Sequence, residues 1–311
     1  MGLFGRGKKK EKSDTMQKHE QEKEVLMQDL SEQEKPGMVF LMHLFMEEFC
    51  EMPDKDKMTE IMERHLGGVD CFCHSENVTG FAPKKYSVEF EGGKKVPPQL
   101  MVMKCISTEN LEIDEIKRSQ MWNCPDSREI LNRCKYQVVA TDMLAAGLPY
   151  KERAEMLMDF AEALVEIFPS CVAVMFGTSG KMFRRAQIQN HQIPRDQRFV
   201  YFAVNVRVFN IQGTNDMLVD TLGMSTLFLP DLQYHFHDMD PNAVVNHAHN
   251  VLLYIYETNC PIKSGETIDG IVGDRMSREV QWKCQFENAL IQPARQVIDI
   301  CMGEHASGSR E

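Results

Sequence analysis

The stretch from Leu218 to Cys260 constrains the fold more than any other. Leu218 to Leu229 reads as a strand, and Pro230-Asp231 as the turn that follows, because proline fixes φ and removes a backbone donor. Leu232-Gln233-Tyr234-His235-Phe236-His237 alternates, so Leu232, Tyr234 and Phe236 share one face. Asp240 suits a helix cap and Pro241 the first helical position, where a missing N–H costs nothing. Val244, Val245, Ala248, Val251, Leu252, Ile255 and Tyr256 then recur at three- and four-residue steps, which forms one apolar stripe. Cys260-Pro261 ends the helix. A strand–turn–strand–helix unit of this kind has one helix face to bury, and the second half of the fold is expected to pack on it.

The run Asp220-Thr221-Leu222-Gly223-Met224…Leu229-Pro230-Asp231-Leu232-Gln233-Tyr234-His235-Phe236, then Asp240-Pro241-Asn242, then Ser264-Gly265-Glu266-Thr267-Ile268-Asp269-Gly270, resembles a bacterial family, domain of unknown function 4261. The resemblance is sharpest over about residues 199–275. It is carried by turn and core residues, so it implies a fold and no chemistry.

Charge narrows the partners. The formal net charge is −11, and over residues 1–37 eight Lys/Arg balance eight Asp/Glu, so the excess sits on the body. An acidic body repels phosphate backbones, which argues against nucleic acid and for another protein as partner. Ten cysteines stand without a framework and no secretory signal is evident, which reads as a reducing cytoplasm. The longest apolar run, Met38 to Met46, is about half of the roughly 20 residues a membrane span needs.

Residues 1–36 read as a charged, flexible appendage, in which Leu3, Phe4 and Lys8, Lys9 and Lys10 could make weak contact with an anionic membrane surface. Residues 37–303 read as one globular domain and 304–311 as a disordered tail. Met38–Phe45, Val69–His74, Tyr86–Glu91, Gln99–Ile106, Lys135–Asp142, Cys171–Phe176, Phe199–Phe209, Glu279–Glu287 and Arg295–Cys301 read as strands. Pro53–Leu66 and Pro149–Phe168 read as helices, with two short helical pieces in 110–134 and one near 181–190. Gly92-Gly93 supplies the positive φ of a tight turn. The expected class is α+β, a mixed, largely antiparallel sheet with helices packed on one side.

Three constellations could carry chemistry. Gly177-Thr178-Ser179-Gly180-Lys181 follows a strand, and its amides, with Lys181, Arg184 and Arg185, could hold an anion. His235 and His237 share a strand face and, with Asp238, could hold a divalent metal; the ordinary reading is a half-exposed polar face, and no cofactor is expected. Cys71-Phe72-Cys73-His74 lacks zinc-knuckle spacing and reads as buried strand cysteines. Ser264 to Gly270 reads as a polar loop with two carboxylates. With no nucleophile elbow or dinucleotide fingerprint, the leading expectation is a non-enzymatic protein acting through protein–protein interaction, as an accessory, regulatory or immunity-like partner. The alternative is a small-ligand or metal-binding module, or an enzyme, using the Gly177–Lys181 turn or the His235/His237 pair.

Overall fold

The computed structural model describes residues 39–308 except Glu91, His191 and Asp274. The expectations for Leu3, Phe4, Lys8–Lys10 and the rest of the N-terminal appendage lie outside the described residues. The chain runs β1 (Leu41–Met46), α1 (Lys55–Leu66), β2 (Val69–His74), β3 (Val78–Pro83), β4 (Val88–Glu89), β5 (Lys95–Val96), β6 (Gln99–Met103), β7 (Ile106–Ser107), α2 (Glu115–Ser119), α3 (Ser127–Arg133) and β8 (Tyr136–Met143). It continues α4 (Tyr150–Ile167), β9 (Ala173–Phe176), β10 (Lys181–Arg184), α5 (Arg185–Ile188), α6 (Arg198–Ala203), β11 (Asn205–Asn210), β12 (Met217–Leu222), β13 (Asp231–Phe236), α7 (Pro241–Thr258), β14 (Thr267–Val272), β15 (Arg275–Asn288) and β16 (Gln296–Cys301).

The class is α+β, and the strands form two large sheets. The first has the order β10-β9-β1-β8-β6-β3-β2, with β7 also on β8, and is antiparallel throughout. The second has the order β11-β12-β13-β16-β15-β14 and is antiparallel except for β13 beside β16. Each sheet contains a long crossover. Helix α1 carries the chain from β1 to the far edge at β2, and α7 carries it from β13 to the far edge at β14.

One apolar cluster joins α1, α4, α6 and α7 to the inner faces of both sheets. Val244, Ala248, Val251, Leu252, Ile255 and Tyr256 are all buried, and α7 packs on β11, β12 and β13 as its stripe requires. Asp240 caps this helix by accepting from the Asn242 N–H at 3.0 Å. A second, smaller cluster lies on the opposite face of the first sheet, where Phe45, Met175 and Met182 meet Ile113, Met121 and Ile130. Helices therefore cover both faces of that sheet, because β1 and β9 bury alternate residues in each direction.

Several local expectations are corrected. Phe199–Ala203 is helix α6, and only Asn205–Asn210 is strand. The strand from Leu218 stops at Leu222, where Gly223 turns the chain into a 3₁₀ segment, Met224–Leu227. Thr267–Val272 is strand β14 instead of loop, and β3 was not anticipated. Cys71 and Cys73 are half-buried on the edge strand β2, whose ladder with β3 shifts register between them. Residues 304–308 are docked: His237 N–H donates to His305 O and Ser307 N–H to His235 O, each at 2.9 Å.

The outer face of the second sheet holds a buried polar ladder. Asp220 receives Arg207 Nε at 2.8 Å and Nη2 at 2.5 Å, and Arg295 Nη2 at 2.7 Å. Asp231 accepts from the Thr221 hydroxyl at 3.1 Å and the Met224 N–H at 3.2 Å. Gln233 donates to Asp299 at 3.2 Å and accepts from the Leu290 N–H at 2.7 Å. The Asp220…Asp231 motif thus holds the turn at Gly223 and the loop before β16 in place.

Candidate functional site

Where the edge strands β10 and β11 approach each other, the structure leaves a cleft of about 540 Å³. That is the size of a site for a small organic molecule. Lys181, the first residue of β10, lines the cleft with His249 of α7. Trp122 and Tyr201 supply aromatic surface, and Val206, Val208 and Val245 supply aliphatic wall. Asn123, Asn205, Asn242 and Asn246 bring side-chain amides. No carboxylate lines the cleft among the described residues, although the chain carries 46 Asp and Glu.

Lys181 is buried, and its Nζ donates to Tyr201 O at 2.5 Å and Val204 O at 2.8 Å. These are carbonyls at the C-terminal end of α6, which the helix itself leaves unpaired, so the amine acts as a cap. Phe183 and Tyr201 present their rings 5.5 Å from Nζ. Burial pushes the amine down to about 7, while the two carbonyls favour the protonated form. A protonated amine has three N–H groups. Two are held by carbonyls, and no carboxylate among the described residues lines the cleft to balance the charge. His249 is held below its ordinary value by burial first and by Lys181 second.

Trp122 is 55% exposed at the rim, and its indole N–H donates to Gln120 Oε1 at 3.0 Å. Gln120 is buried and clamps the edge of β11, donating to Val208 O at 3.0 Å and accepting the Val208 N–H at 2.9 Å. Asn205 donates to Gln120 O at 3.1 Å and Ser179 O at 3.3 Å. The Trp122 ring is therefore positioned by hydrogen bonds that tie the first sheet to the second.

The residues singled out in the sequence separate. Gly177–Gly180 is the turn of a β-hairpin, because Lys181–Arg184 continues as a strand; the short helix begins only at Arg185. The Gly180 N–H donates to Phe176 O at 2.8 Å and the Lys181 N–H to Ser179 Oγ at 3.2 Å, so these amides are already used within the turn. Thr178 and Ser179 lie in the same turn. Lys181 alone of the seven reaches the cleft. Arg184 pairs with Asp126 at 2.6 Å, and Arg185 Nε donates to Val165 O at 2.9 Å.

His235 Nε2 stands 3.5 Å from Asp216, and His237 Nδ1 lies 3.0 Å from Asp238. No group of three His, Cys, Asp or Glu suited to a metal ion occurs among the described residues, so His235, His237 and Asp238 do not form one. His247 is a core residue, between Tyr234 Oη at 3.0 Å and Asp269 O at 2.8 Å. Trp122, Asn123, Tyr201, Asn242 and Asn246 escaped sequence reasoning. Asn242 and Asn246 share a face of α7 at i and i+4, but no spacing rule links that face to Trp122, Asn123 or Tyr201, which come from segments far away in the chain.

The family model for a domain of unknown function (DUF4261) matches residues 220–301. The matched segment carries Asp220, Asp231 and the α7 wall of the cleft, and lies further along the chain than the stretch where the resemblance is sharpest to the eye. Lys181 and Trp122 fall outside it. No curated protein and no solved structure matches the chain.

Proposed function

We propose that this chain is a small-ligand binding module whose cleft at Lys181 receives an organic molecule bearing an anionic group. The observation that carries the reading is the buried Lys181 amine, held by two carbonyls in a cleft without a carboxylate. A buried cation without a counter-charge is costly, and an incoming carboxylate or phosphate supplies both the charge and the acceptor for the third N–H. The valines and aromatic rings would cover the rest of the ligand. Both carbonyl contacts hold the Lys181 amine in place beside His249, an arrangement that favours binding over catalysis.

The test is isothermal titration at pH 6.5 with inorganic phosphate, benzoate and ribose 5-phosphate. At least one should bind the natural chain and lose tenfold or more with Lys181→Met, while Lys181→Arg retains part of the affinity. Unaltered binding by Lys181→Met, or no binding of any of the three, would overturn the reading.

A second reading, docking of a basic protein on the acidic surface, is supported by the net charge of −11. Capture of a partner that dissociates as salt is raised would support it. All ten cysteines are free, which supports a reducing, cytoplasmic setting. No helix among the described residues is long and apolar enough to cross a membrane.

A further inference from the structure

The geometry points to a ligand with a flat, heteroatom-rich ring as well as its anionic group, and we infer a nucleoside monophosphate. This rests on the anionic-ligand reading and specifies the other end of the molecule. Trp122 offers an exposed ring face whose tilt is set by its N–H bond to Gln120, and Gln120 is itself locked to the β11 backbone at two atoms. A ring held this way loses little freedom on stacking. Asn123 and Asn246 line the same cleft, and each amide carries both donors and an acceptor, as the edge of a nucleobase does. Lys181 stands in the same cleft as the single buried cation, which matches one phosphate group. A nucleotide that needs Mg²⁺ is disfavoured, because no carboxylate among the described residues lines the cleft to hold the hydrated ion. A polymer is disfavoured by the acidic body.

The chain has two tryptophans, and the other, Trp282, is 2% exposed and packs on His247 at 4.8 Å. Fluorescence quenching by a stacked base would therefore report Trp122. The probes are AMP, GMP, CMP and UMP, with ribose 5-phosphate and adenosine as controls for an anion without a ring and a ring without an anion. At least one mononucleotide should quench and bind more tightly than either control. Trp122→Phe should abolish the quench, and Trp122→Ala should weaken that nucleotide roughly 5- to 150-fold while ribose 5-phosphate is unaffected.

If ribose 5-phosphate binds as tightly as every nucleotide, or Trp122→Ala leaves nucleotide affinity unchanged, the ring assignment falls and the anion reading stands. If neither the nucleotides nor the simple anions bind, both fall. Circular dichroism of each variant identifies any loss that comes from misfolding, and Trp122→Phe, conservative at an exposed position, keeps the inference testable in that case.

Discussion

Arg153 and Asp142 form an ion pair in which each side chain is 1% exposed, with Nε at 2.9 Å and Nη2 at 2.7 Å from the same carboxylate oxygen. The pair links the halves of the molecule. Asp142 is the penultimate residue of β8 and also accepts the Phe40 N–H at 2.8 Å, while Arg153 Nη1 donates to Thr226 O, beyond β12, at 2.6 Å. Removing one partner strands a buried charge. Arg153→Met should therefore destabilise the chain by about 3–5 kcal/mol, read as a lowered urea midpoint. A loss no larger than that of a surface arginine would contradict this.

Gly223 allows the turn that ends β12. Its φ is +135°, and a Cβ there would lie 2.5 Å from the backbone oxygen of Ala203. The backbone strain alone is about 1–3 kcal/mol, and the contact adds to it because the obstacle is main chain. Gly223→Ala should lower the thermal midpoint clearly, whereas Gly265→Ala, with nothing within 4 Å, should cost only its φ strain. Equal effects would show that the close approach to Ala203 does not matter.

His65 of α1 lies between Glu162 and Glu166 of α4, with Nδ1 3.8 Å from the first and Nε2 2.9 Å from the second. Its pKa is raised, chiefly by Glu162, with burial opposing and Glu166 assisting. The stabilisation is then complete below the unfolded value of about 6.5 and fades as pH rises through the folded value. Chemical denaturation across pH 5.5 to 8.5, on the natural chain and on His65→Gln, should show a gap that narrows toward high pH. A gap that widens would reverse the assignment.

Lys181 links stability and binding. Lys181→Met should leave Tyr201 O and Val204 O unpaired, at about 1–3 kcal/mol for each buried group, and loosen α6 as seen by hydrogen exchange. For the ligand, the sign follows from the amine. A bound anion favours the protonated form, so affinity should be full below about 7 and decline as pH rises through the still higher value of the complex. Titration with benzoate, whose own charge is constant over this range, at two pH values on either side should show it, and affinity that rises with pH would exclude an ammonium–anion contact.

How much was legible in the sequence varied with the range of the forces involved. Helix α7 was readable because its cap, its proline and its apolar stripe are neighbours in the chain. The Gly92-Gly93 turn was readable for the same reason, and both glycines have positive φ. Lys181 stood out for its place after the turn, although the helix imagined beyond it is a strand.

Sequence by itself determined the α+β class, the two long helices and the strand-rich second half, because caps, turns and periodicity act over a few residues. Tertiary structure decided that Phe199–Ala203 is helical despite its strand-like apolar run, since Lys181 reaches across to pair its last carbonyls. It also decided the cleft, whose walls come from β10, β11, α7 and the loop at Trp122. Which side chains meet there depends on how two sheets dock, and packing between distant segments leaves no periodic trace in the chain.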